Sequence, residues 1–442
     1  MTVPRIQVHS GHRFLVTENG EPFFWLADTA WELCHRLNRT EAEHYLEVRR
    51  QQGFNVIQAV ILAEMDGLHT PNANGDIPLL GYDPTRPNEY YFRYVDEIIR
   101  LAAEKGLYIG LLPTWADKVR SGMWGIGPAI FNVENACVYG RFLGQRYRND
   151  TNILWILGGD RPADGYENLW AAMAQGITEG LGYKPFFTYH PNGGASSSAF
   201  LHTAEWLDMN MIQSGHVLLD TPNWDMIGTD YNFKPIKPTL DGEPNYEGHP
   251  VDPFLRKWQV DFGRFTDYDV RKQAYRSVFA GACGHTYGHH AIWQFWTHQH
   301  EPVNFPMPTW DEAMLATGAA QLIHLKNLML ARPYLTRIPA PDMLPGLLEI
   351  PPLDNSQHYE PLRAAHPAAT RDVDGIYALI YFPLAEQTLQ IDLNPLKGQV
   401  KAQWFDPRLG RWHEAGLHPN KIMTFTSPIA GPDWVLALDQ LK

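Results

Sequence analysis

Apolar runs and amphipathic runs alternate along the first three quarters of the chain. Short blocks rich in branched and aromatic residues predict strands at Phe23–Ala27, Asn55–Leu62, Leu107–Leu112, Ile153–Leu157, Pro185–Tyr189, Leu207–Gln213, Pro238–Asp241 and Cys283–Tyr287. Between them, helical spacing predicts helices over Glu41–Gln52, Tyr91–Lys105, Val133–Arg148, Asn168–Gly180, Asp269–Gly281 and Asp311–Leu330. Thr40 is placed to cap the first helix and Gly106 to stop the second. Eight strands alternating with helices, in a span of about 330 residues, predict a (β/α)8 TIM barrel. An open doubly wound sheet is the rival, but no Gly-x-Gly-x-x-Gly follows the first strand.

After Leu330 the texture changes. Arg332 to Asp354 is rich in proline and reads as a linker or wrapping segment, and strand-like runs then recur at Gly375–Phe382, Thr388–Leu393, Val400–Asp406 and Trp434–Leu438. The expected division is a barrel over 1–340 and a small antiparallel β-sandwich over 345–442, the latter too short to be an enzyme by itself.

Composition narrows the partners. The chain of 442 residues carries 36 Lys+Arg against 49 Asp+Glu, a formal charge of −13, so it would repel a phosphate backbone and no nucleic acid is expected. No apolar stretch of about 18 residues occurs, which argues against a membrane partner. The N-terminus lacks the pattern of an export signal, so the chain as it stands is expected in the cytoplasm, or in the periplasm or outside if a leader was removed. Cys34, Cys137 and Cys283 are far apart and in no metal-binding spacing, so they read as reduced, packed thiols. Aromatic residues make up 12% of the chain, which suits a protein offering flat apolar faces to a carbohydrate. The pattern does not reveal the oligomeric state.

In a barrel of this type, the chemistry comes from residues just after each strand. Here these are Asp28 and Trp31; Glu64 and Asp66; Trp115, Asp117 and Lys118; Asp160 and Arg161; His190 and Asn192; Gln213, Ser214 and His216; Glu243; and Tyr287 and His289. Asp160 follows two glycines at the end of the fourth strand, and Glu243 follows Gly242 at the end of the seventh. Carboxyls on opposite sides of a barrel mouth can flank a glycosidic bond, one protonating the leaving oxygen while the other attacks or activates water. A separation of about 5–5.5 Å would mean retention and one of about 6.5–9.5 Å inversion. Structural alternatives are open: Asp160 could pair with Arg161 or cap the next helix, and Asp241 and Glu247 compete with Glu243 for its role.

A sugar also needs an apolar face and polar partners for its hydroxyls. Trp31, Trp115, Trp293 and Trp296 are the candidate platforms, and Asp28, Gln58, Lys118, His190, Asn192, Gln213, Tyr246, Tyr287 and His289 the candidate polar contacts. Tyr246 or Tyr287 could hydrogen-bond Glu243. The histidine-rich stretches at 284–290 and 297–302 resemble metal clusters, but a metal-dependent barrel would carry His-x-His on its first strand, where this chain has Trp25-Leu26-Ala27-Asp28. No metal and no cofactor is expected. Gly-x-Ser-x-Gly and P-loop motifs are absent from the sequence.

The segments YLEVRRQQGFNVIQAVIL, NILWILGGDRP and DGEPNYEG resemble the catalytic domain of glycoside hydrolase family 140, the apiosidase-like family, and WFDPRLGRW resembles the small β-domain, named for collagen binding, that follows it. The resemblance covers nearly the whole chain. It implies a TIM barrel that hydrolyses a β-linked apiose, a branched pentofuranose of pectic side chains and plant glycosides, with Asp160 as acid/base and Glu243 as nucleophile. Similar barrels carry Asn-Glu after the fourth strand. Gly159-Asp160 here supplies a shorter acid, which must be brought closer to the leaving oxygen. The other function classes open to this sequence are a metal-dependent hydrolase or isomerase on the same barrel, and a non-catalytic carbohydrate- or matrix-binding protein.

Overall fold

The computed structural model describes residues 3–252, 263–348, 350 and 361–441. Strands β1 (Trp25–Thr29), β2 (Val56–Leu62), β3 (Tyr108–Thr114), β4 (Ile153–Gly158) and β5 (Phe187–His190) pair in parallel, in chain order. Strands β6 (Asn210–Gln213) and β7 (Thr239–Asp241) form a second parallel ladder, and β8 (Gly284–Tyr287) pairs with β1. Backbone bonds bridge both seams: Asp208 N–H donates to Phe187 O at 2.9 Å, and Cys283 N–H to Thr239 O at 2.9 Å. The eight strands therefore close into the expected barrel. Every residue of β1 to β8 is buried, because helices cover the outer face while side chains fill the inside, and this is why the strands read as unbroken apolar runs rather than alternating ones.

The outer layer consists of α1 (Arg39–Gln51), α2 (Glu89–Glu104), α3 (Val133–Arg146), α4 (Glu167–Leu181), α5 (Asn223–Asn232), α6 (Asp267–Phe279) and α7 (Thr317–Leu330), with short turns between. The cap of α1 is Asn38, not Thr40: its side chain accepts from Glu41 N while the Glu41 carboxylate reaches back to Asn38 N. Gly106 has φ +73°, the left-handed residue that ends α2. The helix expected over Asp311–Leu330 breaks in two, since Ala316 is extended and Thr309 caps a separate turn at Trp310–Ala313. Among the described residues, no helix is long and apolar enough to cross a membrane.

The C-terminal unit is an antiparallel sheet of β9 (Arg337–Pro339), β10 (Ala368–Asp372), β11 (Tyr377–Phe382), β13 (Val400–Asp406), β14 (Arg411–His418) and β16 (Trp434–Gln440), in the order β9-β10-β11-β16-β13-β14. The ribbon of β12 (Thr388–Asp392) with β15 (Ile422–Thr426) accompanies it. Its first strand comes from the proline-rich stretch, ahead of residue 345; positions 349 and 351–354 of that stretch lie outside the described residues. The sheet is braced on α6: Arg271 forks onto Asp433 at 2.9 and 2.7 Å, and Tyr381 Oη donates to the same carboxylate at 3.0 Å. Arg276 donates to the carbonyls of Arg363, Ala364 and His366.

Candidate active site

Asp160 and Glu243 meet at the barrel mouth. One ligating atom from each of Asp160, His190 and Glu243 can be chosen so that all three lie within 4.8 Å of one another. Local backbone accounts for how the two acids are aimed. Gly158 and Gly159 have φ +91° and +121°, and Asp160 follows at +52°, so the chain makes three left-handed steps at the strand end. A Cβ on Gly159 would lie 2.6 Å from the Trp115 ring, and one on Gly158 would lie 2.4 Å from His190 O, so only glycine fits at either position. Asp160 itself bears a left-handed strain of about 1–2 kcal/mol, which polar Asp tolerates better than most residues. Gly242, whose carbonyl accepts from Gln58 Nε2 at 3.0 Å, passes against Met211 so closely that a Cβ would meet its sulfur at 2.3 Å. Gly215 N–H then pins the Glu243 carbonyl at 3.0 Å.

Two imidazoles hold the Glu243 carboxylate. His216 Nε2 bonds Oε1 at 3.0 Å, and His190 Nε2 approaches Oε2 at 2.8 Å without the alignment of a linear hydrogen bond. The Asp160 backbone N–H points at His190 Nδ1 from 3.5 Å, so Nε2 is the ring nitrogen left to face Glu243. His216 lies tilted against Tyr246, with ring centroids 4.2 Å apart, and stacks on His249 at 4.5 Å. Trp31 and Trp115 pack on the His190 ring, with centroids 5.3 and 5.4 Å away.

This environment splits the two acids. Burial pushes Asp160 up to about 6, the neighbouring Glu243 charge adds to the rise, and His190 and a hydrogen bond from Gln213 only partly offset it. Burial acts on Glu243 in the same direction, but the two imidazoles, His190 and His216, outweigh it and bring its carboxyl down to about 2. At neutral pH Glu243 is a bare carboxylate, while Asp160 titrates within reach of the working range. An ionised group beside a protonatable one is the division of labour that two-carboxylate hydrolysis requires.

The competing readings of these acids are not what the structure contains. Arg161 donates to the carbonyls of Arg120, Asp160 and Trp124, fastening the loop after β3 rather than the Asp160 carboxylate. Helix α4 begins at Glu167 without a side-chain cap, so Asp160 caps nothing. Asp241 points to Ser214 and Asn223, and Glu247 is held by Tyr287 and Gly318 N–H.

Of the residues proposed for substrate, His190, Gln213 and Tyr246 surround the acid pair, with the Tyr246 phenol beside Glu243. Trp31 and Trp115 are 2% and 1% exposed, so they form the back wall and not an open platform. Several others are held by protein partners. Asp28 is fully buried and taken by Arg49 Nε at 2.6 Å and Tyr45 Oη at 2.6 Å. Lys118 Nζ is spent on Ala63 O and Asp117, and Gln58 on Gly242 O and Thr286. Tyr287 bonds Glu247, not Glu243. His289 is buried and accepts from Ala291 N, Asn192 bonds its neighbour Gly193 O, and Trp296 packs on His298. Trp293 is nearly buried, with its indole N–H on His290 and its ring against Trp124 at 6.1 Å. The histidines of 284–290 are likewise engaged in packing: His285 with Ser277, His290 with Asn304 O.

Asp28→Asn is therefore expected to act on stability. Breaking a buried ion pair by removing one charge costs about 3–5 kcal/mol. Urea unfolding should show that loss, with kcat of the remaining folded enzyme close to wild type; a kcat loss at unchanged stability would return Asp28 to the site.

Three residues at the mouth escaped the sequence reading as contacts. His216 is the second imidazole on Glu243. Glu64, at the end of β2, lies close enough to Asp160 and Glu243 to feel both charges. Trp124, 37% exposed, bonds Glu64 through its indole N–H. The only sequence signal for Trp124 is a bulky pair, Met123-Trp124, set among glycines 122, 125 and 127.

A closed (β/α)8 barrel with two acids meeting at its mouth is an arrangement that two-carboxylate glycoside hydrolysis can use. Residues 9–336 match the family model described as "Apiosidase-like, catalytic domain", and the chain belongs to that family. Residues 355–439 match the model described as "Putative collagen-binding domain of a collagenase". A solved structure titled "Glycoside hydrolase" is 33% identical, with 99% of this chain and 97% of that one aligned at a TM-score of 0.87. A protein described as a glycoside hydrolase family 5 from Bacteroides vulgatus is 32% identical over 99% of this chain and 93% of its own, at a TM-score of 0.86. A second glycoside hydrolase structure from the same organism, 14% identical over 99% and 83% at a TM-score of 0.68, shares the fold. No curated protein matches the chain.

Proposed function

We propose that this glycosidase cleaves a β-linked sugar of plant origin, with a pentofuranose such as apiose as the leading candidate, by a retaining mechanism. Glu243 attacks the anomeric carbon while protonated Asp160 delivers its proton to the departing oxygen; Asp160, now ionised, then takes a proton from the water that releases the sugar. The observation that carries this reading is that one carboxylate oxygen of Asp160 and one of Glu243 lie within 4.8 Å of each other, so both acids can reach one glycosidic bond; retention follows from the nucleophile role that the family resemblance implies for Glu243. The resemblance to the apiosidase-like family carries the choice of sugar, and the C-terminal sheet serves as a brace for α6.

The test is a screen of the protein against nitrophenyl β-glycosides of apiose, arabinose, xylose, glucose and galactose, with the first-formed anomer followed by proton NMR. Cleavage with retained configuration is expected, and its rate should be unchanged by a chelator. Asp160, His190 and Glu243 could together ligate a divalent ion, so loss of activity in EDTA, restored by metal, would favour the metal-dependent class. First-formed product of inverted configuration would refute the nucleophile.

A further inference from the structure

A third acid stands in the site. Glu64 is the second residue beyond the end of β2, and its side chain is 1% exposed. Trp124 Nε1 donates to its Oε2, and its own carbonyl accepts from Ile126 N–H at 3.2 Å, so the loop after β3 is fastened to it from two sides. Its Oε1 is buried and has no hydrogen-bond partner among the described residues. The strongest charges acting on it are those of Glu32, Asp160 and Glu243, all acids, and Lys118, bonded to the carbonyl of the preceding Ala63, is spent there and on Asp117.

Burial among acids favours the neutral form of this carboxyl. Burial, and then the three acids, raise it well above the usual range, and the indole N–H that opposes them falls short. The neutral acid has one hydroxyl. With Oε2 accepting from Trp124, the hydroxyl falls on Oε1, the atom with no protein partner. A buried donor left unpaired is costly, and a ligand hydroxyl arriving beside Asp160 and Glu243 would relieve it.

We propose that Glu64 is a specificity residue: its Oε1 hydroxyl donates a hydrogen bond to one ring hydroxyl of the sugar held between Asp160 and Glu243, and Trp124 both orients that carboxyl and covers the sugar. This rests on the glycosidase reading above and adds a selection rule to it. A sugar lacking that hydroxyl, or carrying it with the opposite configuration, leaves the buried donor unmet and is rejected, whereas an acid serving only the fold would be indifferent to which hydroxyl the substrate carries.

The experiment uses the full chain and the best nitrophenyl glycoside from the screen, together with its singly deoxygenated analogues. For the wild type, one analogue should lose about 10- to 100-fold in kcat/KM, beyond the others. In Glu64→Leu the parent substrate should fall by a similar factor while that analogue falls little further, so the discrimination collapses. Trp124→Phe, altered on an exposed loop, removes the indole donor and should shrink the same discrimination several-fold; it serves as the test if Glu64→Leu does not fold. A uniform loss across parent and analogues, or discrimination unchanged in the variants, overturns the proposal while leaving the glycosidase reading intact. A wild type that cleaves none of the glycosides fails the glycosidase reading, and the role of Glu64 falls with it.

Discussion

Glu243→Gln is expected to lower kcat/KM by about 10⁴-fold or more, on the scale of losing a residue that forms a covalent bond with substrate. The amide fills the same volume between His190 and His216 but has no electron pair of comparable basicity to offer an anomeric carbon. The loss should therefore appear whatever the leaving group. Glu243→Gly makes the sharper test: added azide can enter the vacated space and attack in place of the carboxylate, giving a glycosyl azide of inverted configuration. A second signature comes from the coupling between the acids. The Glu243 charge is part of what holds Asp160 at about 6, so its removal should move the alkaline limb of any residual activity to lower pH. Residual activity within tenfold of wild type, or no azide adduct from a folded Glu243→Gly protein, would remove Glu243 from the reaction.

How much of this could be read from the chain follows from which interactions are local. The strands were legible because closure of the barrel buries both their faces, leaving apolar runs such as Val56–Leu62 that nothing else explains. The acids were legible because their presentation is written into neighbours: glycines at 158, 159 and 242 mark places where the backbone passes against Trp115, His190 and Met211. The partners of those acids were harder. Asp28 and Lys118 sit at strand ends just as Asp160 does, and only the fold shows that Arg49, ten residues into the next helix, reaches back to neutralise the first and that Ala63 O and Asp117 absorb the second. Tyr246 and Tyr287 looked equivalent, yet one lies by Glu243 and the other serves Glu247. In the C-terminal unit, β14 escaped notice because it lies at the edge of the sheet and most of Arg411–His418 is exposed, so its pattern carries little apolar signal.

Asp160→Asn should separate proton delivery from every other contribution. Wild-type activity is expected to fall as pH rises through about 6, because the first step needs the protonated acid and the site releases that proton there; Glu243, held at about 2, stays ionised over the same range and sets no limb near neutrality. Asparagine tolerates the left-handed backbone at this position, so the variant should fold with melting close to wild type. It cannot give up a proton. For a substrate whose leaving group is a poor one, such as an alkyl alcohol or a second sugar, kcat/KM should drop by about 10²- to 10⁴-fold. A dinitrophenyl glycoside, whose leaving oxygen departs without protonation, should lose far less in the glycosylation step, and its profile should go flat where the wild type declines. The ratio between the two substrates is the diagnostic quantity, because a distorted site would slow both alike. Equal losses on the two leaving groups, or an alkaline limb that survives the substitution, would mean that another group supplies the proton, and Glu64, whose carboxyl is also pushed up at this mouth, would be the next to replace.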